Sequence, residues 1–317
     1  VSKLVKCRPE EIVITQSVTD GVNIVANGMN FSNDSNIVIR GGEHEHHANY
    51  FPWLRLRDKI GIRNLPIDNN GGFTDLDLKN SIDKKTKLVA LSHGLYNSGL
   101  ILPVKEIGEY LEKENVSYFL DTAQTVGCIG EFDFADTGCD FMSFNASKWL
   151  CGPMGTGVFY CNKKSSDLLK PLNVGGESAD SNEDGDLKYK ELPEKFQAGF
   201  RNYVGLVGME SSITYLQNLG LDNIRKHIIK LSNLFIDEIG KVSKSKVYGP
   251  ENESERTSIV SFDIGKNDLE MVVSKLAKKG IIIAKREILE KPVLRISPHV
   301  FNTEEEVFGL VEELKKL

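Results

Sequence analysis

The chain has 317 residues, 40% of them hydrophobic and 26% charged, with 39 Lys+Arg against 45 Asp+Glu and a formal net charge of −6. That is length for about two domains and apolar content for a large core, while the acidic balance, spread without long single-sign blocks, excludes the basic face a nucleic-acid protein needs. No apolar run approaches the roughly 20 residues of a membrane-crossing helix, and five cysteines without a C-x-x-C pair fit a reduced, cytoplasmic protein.

The first segment, VSKLVKCRPE, has no apolar centre and no small-residue cleavage site, so it is not a signal peptide. It also has no initiator Met, which suggests a processed or truncated chain. Short β-branched runs at 12–15, 37–39, 62–65, 87–91, 117–120, 141–143 and 157–160 then alternate with helical patterns at 21–28, 49–58, 75–82 and 104–114. This alternation predicts an α/β large domain whose seven-stranded, mostly parallel sheet is flanked by helices. The polar stretch 175–194 reads as a long loop, and long helices follow at 203–219 and 221–239. Beyond 246 come a strand (258–263), a helix (268–279), strands at 281–284 and 293–296, and a last helix at 303–316. These predict a small C-terminal α+β domain, with domains at 1–219 and 220–317. Thr303 with Glu306 three residues on is a capping box that starts the last helix.

Four segments carry chemistry. In 141–160 (FMSFNASKWLCGPMGTGVFY) a strand runs into a polar turn, Lys148 and a glycine-rich segment. A lysine at a core strand's end is desolvated, which lowers its pKa and makes the amine nucleophilic. In 118–130 (YFLDTAQTVGCIG) an apolar strand delivers Asp121 at its carboxyl edge, with Gln124 one turn on. Open α/β sheets place ligand contacts at that edge. An Asp there can hold a pyridinium nitrogen protonated, as a pyridoxal-phosphate electron sink requires. In 14–22 (ITQSVTDGV) a strand leads through small polar residues into a helix start suited to a phosphate. In 42–53 (GEHEHHANYFPW), His44, His46 and His47 invite a metal reading, but no further ligand set at zinc-site spacing accompanies them. An imidazole stacked on a flat cofactor ring suits the other segments better.

In this order and spacing the segments resemble the class V aminotransferase family of fold-type I pyridoxal-phosphate enzymes, which includes cysteine desulfurases and selenocysteine lyases. The resemblance spans nearly the whole chain. It implies that Lys148 carries the cofactor, pyridoxal 5'-phosphate, and that Asp121 pairs with its ring nitrogen. By the same resemblance His46 stacks on the ring, Gln124 meets the phenolic oxygen, and Thr19, Asn145 and Ser147 hold the phosphate. Segment 294–307 (LRISPHVFNTEEEV) resembles the family's carboxylate clamp and makes Arg295 the substrate ligand. A homodimer with its site at the subunit interface is implied, and 196–202 (FQAGFRN) matches the stretch that reaches the partner's cofactor.

The chain also departs from the pattern. A desulfurase needs a cysteine thiolate near the small domain, yet Cys7, Cys128, Cys139, Cys151 and Cys161 all precede residue 162. The segment expected to carry that thiol is the short 284–292 (AKREILEKP). Tyr96 stands where desulfurases have an asparagine, with Asn97 one place on, and Phe200 stands where many relatives have a phosphate-binding threonine, with Arg201 beside it. Against the family pattern the N-terminal segment that helps close over the substrate is largely missing, which predicts a pocket left open or completed by the partner. The main expectation is therefore chemistry at Cα of a small α-amino acid: transamination, epimerisation or lyase. The alternatives are β-elimination of the desulfurase or selenocysteine lyase type, and a degenerate scaffold for a sulfur-transfer partner.

Overall fold

The structure, a computed structural model, describes residues 1–317 apart from the side chain of Glu43. A short helix α1 (Ser2–Val5) precedes β1 (Ile12–Thr15) and α2 (Val18–Gly28). Then come β2 (Asn36–Arg40), α3 (Phe51–Leu54), β3 (Gly61–Leu65), α4 (Asp75–Ser81), β4 (Thr86–Ser92), α5 (Val104–Lys113), β5 (Ser117–Asp121), β6 (Phe141–Asn145) and β7 (Gly157–Cys161). The seven strands form one sheet in the order β1-β7-β6-β5-β4-β2-β3, in which β7 alone runs against the rest.

Alternation along each strand divides the core in two. Val89, Leu91, Leu120, Met142 and Phe144 face one layer, while Leu88, Ala90, Phe119, Phe141 and Phe159 face the other. The central strands are buried on both faces, and their near-continuous apolar runs are the sequence form of that position. In the reverse direction, the parallel order brings the carboxyl ends of β2, β4, β5 and β6 side by side along one edge.

A hairpin, β8 (Ala179–Ser181) with β9 (Leu187–Tyr189), stands within the stretch expected to be a loop. The expectation fails because both strands are three residues long and largely exposed, so no apolar alternation marks them. Helices α6 (Tyr203–Leu219) and α7 (Leu221–Ile239) follow as expected. Leu221, Ile224 and Ile228 of α7 pack in the large core, whereas Leu231, Phe235 and Ile239 pack in the small one.

The second sheet contains β10 (Lys246–Tyr248), β11 (Val260–Asp263), β12 (Ala284–Ile288) and β13 (Lys291–Ile296) in the order β10-β11-β13-β12, with α8 (Leu269–Ala277) and α9 (Glu304–Lys315) beside it. The capping box forms: Glu306 N–H donates to Thr303 Oγ1 (3.3 Å) and Thr303 N–H to Glu306 Oε2 (3.1 Å). Two local expectations are corrected. The helix expected over 49–58 is confined to α3, preceded by a 3-10 turn at His47–Asn49. The strand expected at 281–284 begins only at Ala284, because Ile281 N–H closes the end of α8 on Leu276 C=O (3.0 Å) and Ile282 stands exposed.

Candidate active site

Lys148 lies where β6 breaks into a tight turn. Gly152 N–H donates to Ala146 C=O (2.8 Å), Cys151 N–H to Lys148 C=O (3.0 Å) and Ala146 N–H to Thr156 C=O (3.0 Å), which fixes the turn from both sides. Burial lowers the Lys148 pKa; Asp121 opposes that shift, and Arg295 and Arg286 add to it. A lowered pKa leaves more of the amine unprotonated near neutrality, where it can act as a nucleophile or a base.

On the adjacent strand Asp121 ends β5 in a buried position, and its Oδ1 accepts Ala123 N–H (2.9 Å). Burial pushes its pKa up to about 6, with Lys148 and the Ala123 N–H pulling the other way and Glu45 adding to the rise. Its second oxygen has no hydrogen-bond partner among the described residues. Gln124 uses Oε1 to accept Trp149 Nε1–H (3.0 Å), leaving its amide N–H groups uncommitted.

Beyond β2 the chain turns over the edge and presents His46, whose Nδ1 accepts Ala48 N–H (3.2 Å). Burial lowers its pKa to about 4, helped by Lys148, His47, Arg286 and Arg295, so the ring is neutral near pH 7. A neutral imidazole can lie against a pyridinium that an imidazolium would repel. Its support was missed in the sequence. Glu45, fully buried, accepts His46 N–H (2.8 Å) and Ser92 Oγ–H (2.6 Å) and pairs with the fully buried Arg40 (3.4 Å). Arg40 in turn donates to Gly71 C=O (2.9 Å) and His44 C=O (2.6 Å). An acid and a base five residues apart around a double glycine are this pair's signal in the sequence.

Tyr96 meets His46 edge-on, with ring centroids 5.1 Å apart. Asn97 instead turns away: its amide donates to Glu287 C=O (2.9 Å), and its Oδ1 accepts Ser98 N–H (3.1 Å). Tyr96 thus faces the site and Asn97 ties the second sheet to the first.

Thr19 sits in the first turn of α2, exposed, behind Ser17, whose side chain caps the helix by accepting Asp20 N–H (3.3 Å). Asn145 pairs with Gly157 across β6 and β7, and a side chain at Gly157 would collide with the backbone of Ser17 at 2.6 Å. The glycine therefore lets the start of α2 close on the strand ends, bringing Thr19 and Asn145 to one corner. Asn145 Oδ1 is buried without a partner. Ser147 lies half-buried in the same turn as Lys148. A cavity of about 580 Å³ beside this corner is lined by Gln16, Asp20, Gly155, Phe200 and Arg201, but not by Lys148, Asp121 or His46. Arg201 there donates to Gln197 Oε1.

From the second sheet, Arg295 donates through Nη1 to Tyr96 C=O (2.8 Å), while its buried Nε has no partner. The Nε–Nη2 edge of a guanidinium is a ready fork for a carboxylate. Burial brings its pKa down to about 10, with Arg286 contributing. His299 was also missed. It stacks on Trp149 (centroids 5.0 Å apart) and on Phe301 (4.7 Å), securing the lysine turn to the segment after β13.

No thiol here is primed as a nucleophile. Burial raises the pKa of Cys7 and Cys139 to about 12, of Cys128 to about 11, and of Cys161 still further. Cys151, exposed and with positive φ (54°), has Sγ 3.8–3.9 Å from the ring nitrogens of His299, and burial raises its pKa too. The segment 284–292 is no loop at all but β12, a two-residue turn at Leu289 and Glu290, and the start of β13.

The sequence matches the family model "Aminotransferase class-V" over residues 1–310. The chain belongs to this family. It is 31% identical to a probable cysteine desulfurase of Methanothermobacter thermautotrophicus, over 100% of this chain and 82% of that one. It is 32% identical to a probable cysteine desulfurase of Halalkalibacterium halodurans, over 97% and 77%. Among solved structures it resembles the cysteine desulfurase of Thermococcus onnurineus NA1 with a TM-score of 0.91 at 29% identity, covering 99% of this chain and 81% of that one. The protein is accordingly a pyridoxal-phosphate-dependent enzyme of the class V aminotransferase family. Its residues fit the cofactor: an uncommitted buried carboxylate oxygen, free amide donors, and an orphaned polar atom in the corner by α2.

Proposed function

We propose that the enzyme binds its cofactor along the carboxyl ends of β2, β4, β5 and β6 and acts at Cα of a small α-amino acid. The observation that carries this reading is the convergence on one corner of a half-buried amine, a buried carboxylate with a spare oxygen, a neutral imidazole and a guanidinium with a free edge. Bound there, pyridoxal phosphate supplies an electron sink for charge that develops at Cα. Lys148 would hold the cofactor through Nζ and, with that amine free, take up the Cα proton on the same atom. Asp121 holds the ring nitrogen protonated, His46 covers the ring and Gln124 donates to the phenolic oxygen. Thr19, Asn145 and Ser147 take the phosphate. Arg295 clamps the α-carboxylate and so sets which Cα bond faces Lys148.

On this reading residues 1–219 bind the cofactor and 220–317 close over the substrate. The enzyme works as a homodimer in the cytoplasm with its site at the subunit interface. Met154, Phe200 and Val204, between 86% and 90% exposed beside the 580 Å³ cavity, support a partner at that place. The tight turn at Leu289 and Glu290 favours transamination, epimerisation or elimination, none of which needs a thiol from that segment. A second reading, desulfuration with delivery to a sulfur-transfer protein, is favoured by the names of the relatives and requires another thiol as acceptor.

The test is a visible absorption spectrum of the purified protein with pyridoxal phosphate, titrated with small amino acids. The expected outcome is a cofactor band that amino acids shift and that Lys148→Ala abolishes. A band that survives in the variant, or none in the wild type, would overturn the assignment. Sulfide released from L-cysteine would promote the second reading.

A further inference from the structure

Arg286 is a charged group beside Lys148, His46 and Arg295 to which the proposed function gives no role. In the β12–β13 ladder Ala284 is opposite Arg295 and Arg286 is opposite Val293. Directly opposed residues share a face, so Arg286 and Arg295 are diagonal neighbours on the same face. The other face, with Val260, Phe262, Leu294 and Ile296, is sealed against the helices. The arginine face looks toward the large sheet: Arg295 donates to Tyr96 C=O (2.8 Å), and Ser261, opposite Arg295 on β11, donates to Asn97 C=O.

Neither guanidinium has an acidic partner among the described residues. The hydrogen bond Arg286 makes is from Nη1 to the carbonyl of its own neighbour Lys285 (2.6 Å), and Arg295 Nε is orphaned. Two half-buried cations side by side repel one another, and the field of Arg286 also reaches His46 and Lys148. The short turn at Leu289 and Glu290 holds both strands in register, so the pair is not free to splay. One carboxylate brings one negative charge against the two positive charges of the pair. A substrate with a single carboxylate would leave the second charge uncompensated.

We propose that Arg286 forms a second anion subsite and that the enzyme takes an α-amino acid whose side chain ends in another carboxylate. This deepens the proposed function and rests on it: Arg295 holds the α-carboxylate and Arg286 the distal one, across the shared strand face. Two carboxylates and one ammonium give the substrate a net charge of −1, which offsets the surplus cation.

The experiment uses the holoenzyme and the half-saturation of the cofactor's spectral change. L-Aspartate is compared with L-asparagine, and L-glutamate with L-glutamine. Each acid is expected to saturate at a concentration at least tenfold lower than its amide. Arg286→Gln should shrink that ratio to within about threefold, Arg286→Lys should restore part of it, and Arg295→Gln should weaken acids and amides alike. An unaltered cofactor band and thermal midpoint in each variant show that the fold is intact. Equal saturation by acid and amide in the wild type, or an equal loss for both in Arg286→Gln, would overturn the subsite while the Lys148-dependent band keeps the underlying reading. A wild type without that band overturns both.

Discussion

Asp121 is under two opposed demands. Its burial at the end of β5 disfavours the carboxylate, and its place beside the proposed ring nitrogen requires it. Because the folded pKa is raised to about 6 from 3.8, the destabilisation is absent below about pH 4, grows as pH rises through the window to 6, and is complete above it. Asp121→Asn should therefore stabilise the cofactor-free protein at pH 8 by on the order of 1–3 kcal/mol, a gain that closes between pH 6 and 4. The same variant should lose on the order of 100-fold or more in turnover, since an amide cannot hold the ring nitrogen protonated. Denaturant titrations at pH 8 and pH 4 check the first claim, and initial rates check the second. A variant less stable at pH 8 would show that the carboxylate is no burden to the fold. At this scale Lys148, Asp121 and Gln124 were readable because each follows an apolar run that could only be a core strand. Arg40 and Glu45 left only the trace of an acid and a base five residues apart, which does not by itself tell a buried pair from a surface one, and His299 left none, because it stacks on Trp149 from a distant part of the chain.

Between β12 and β13 the chain turns in two residues, and both have positive φ, Leu289 at 47° and Glu290 at 63°. Side chains with a Cβ carry a cost there that Asn and Gly largely avoid, and Asn-Gly is the favoured pair for this turn. The double change Leu289→Asn with Glu290→Gly is expected to stabilise the protein by about 1 kcal/mol or more, read as a rise in denaturation midpoint with an unchanged slope. Destabilisation would mean that Leu289 contributes packing worth more than the turn strain. The absence of any cysteine after residue 161 and the shortness of this segment set it apart from the thiol-bearing loop of the resembled family. What the sequence left obscure was where the strands lie. The β-branched Ile281, Ile282 and Ile283 attract a strand assignment, yet the end of α8 claims Ile281, and pairing starts only where Arg295 needs a partner across from it. The β8–β9 hairpin is the complementary case, held by its turn: Asn182 N–H donates to Asp186 C=O (2.9 Å) and Gly185 N–H to Asn182 C=O (3.1 Å).

On the scale of the whole molecule, the two sheets meet across the site through Asn97, Ser261 and Arg295, and on the remaining open flank exposed hydrophobic side chains stand beside a cavity of mixed lining. Met154 follows the lysine turn, Pro153 packs on Gly208 of α6, and Phe200 and Leu172 rim the 580 Å³ cavity, so the exposed residues of α6 and of the turn form one continuous surface. A monomer rarely leaves such a patch uncovered beside a binding site. A second copy related by a two-fold axis would cover it on both chains at once, since the same residues meet themselves. The charged substitutions Phe200→Glu and Val204→Glu together should then weaken dimerisation on the order of 100-fold, read by sedimentation velocity over a concentration series. Neither residue lies in the core, so the thermal midpoint of the cofactor-free monomer should not collapse. If the partner does complete the phosphate corner, the monomeric variant should also bind pyridoxal phosphate more weakly, even though Lys148 and Asp121 are untouched. A variant that stays dimeric would place the interface on another face. One that becomes monomeric yet keeps full cofactor affinity would show that a single chain builds the site alone.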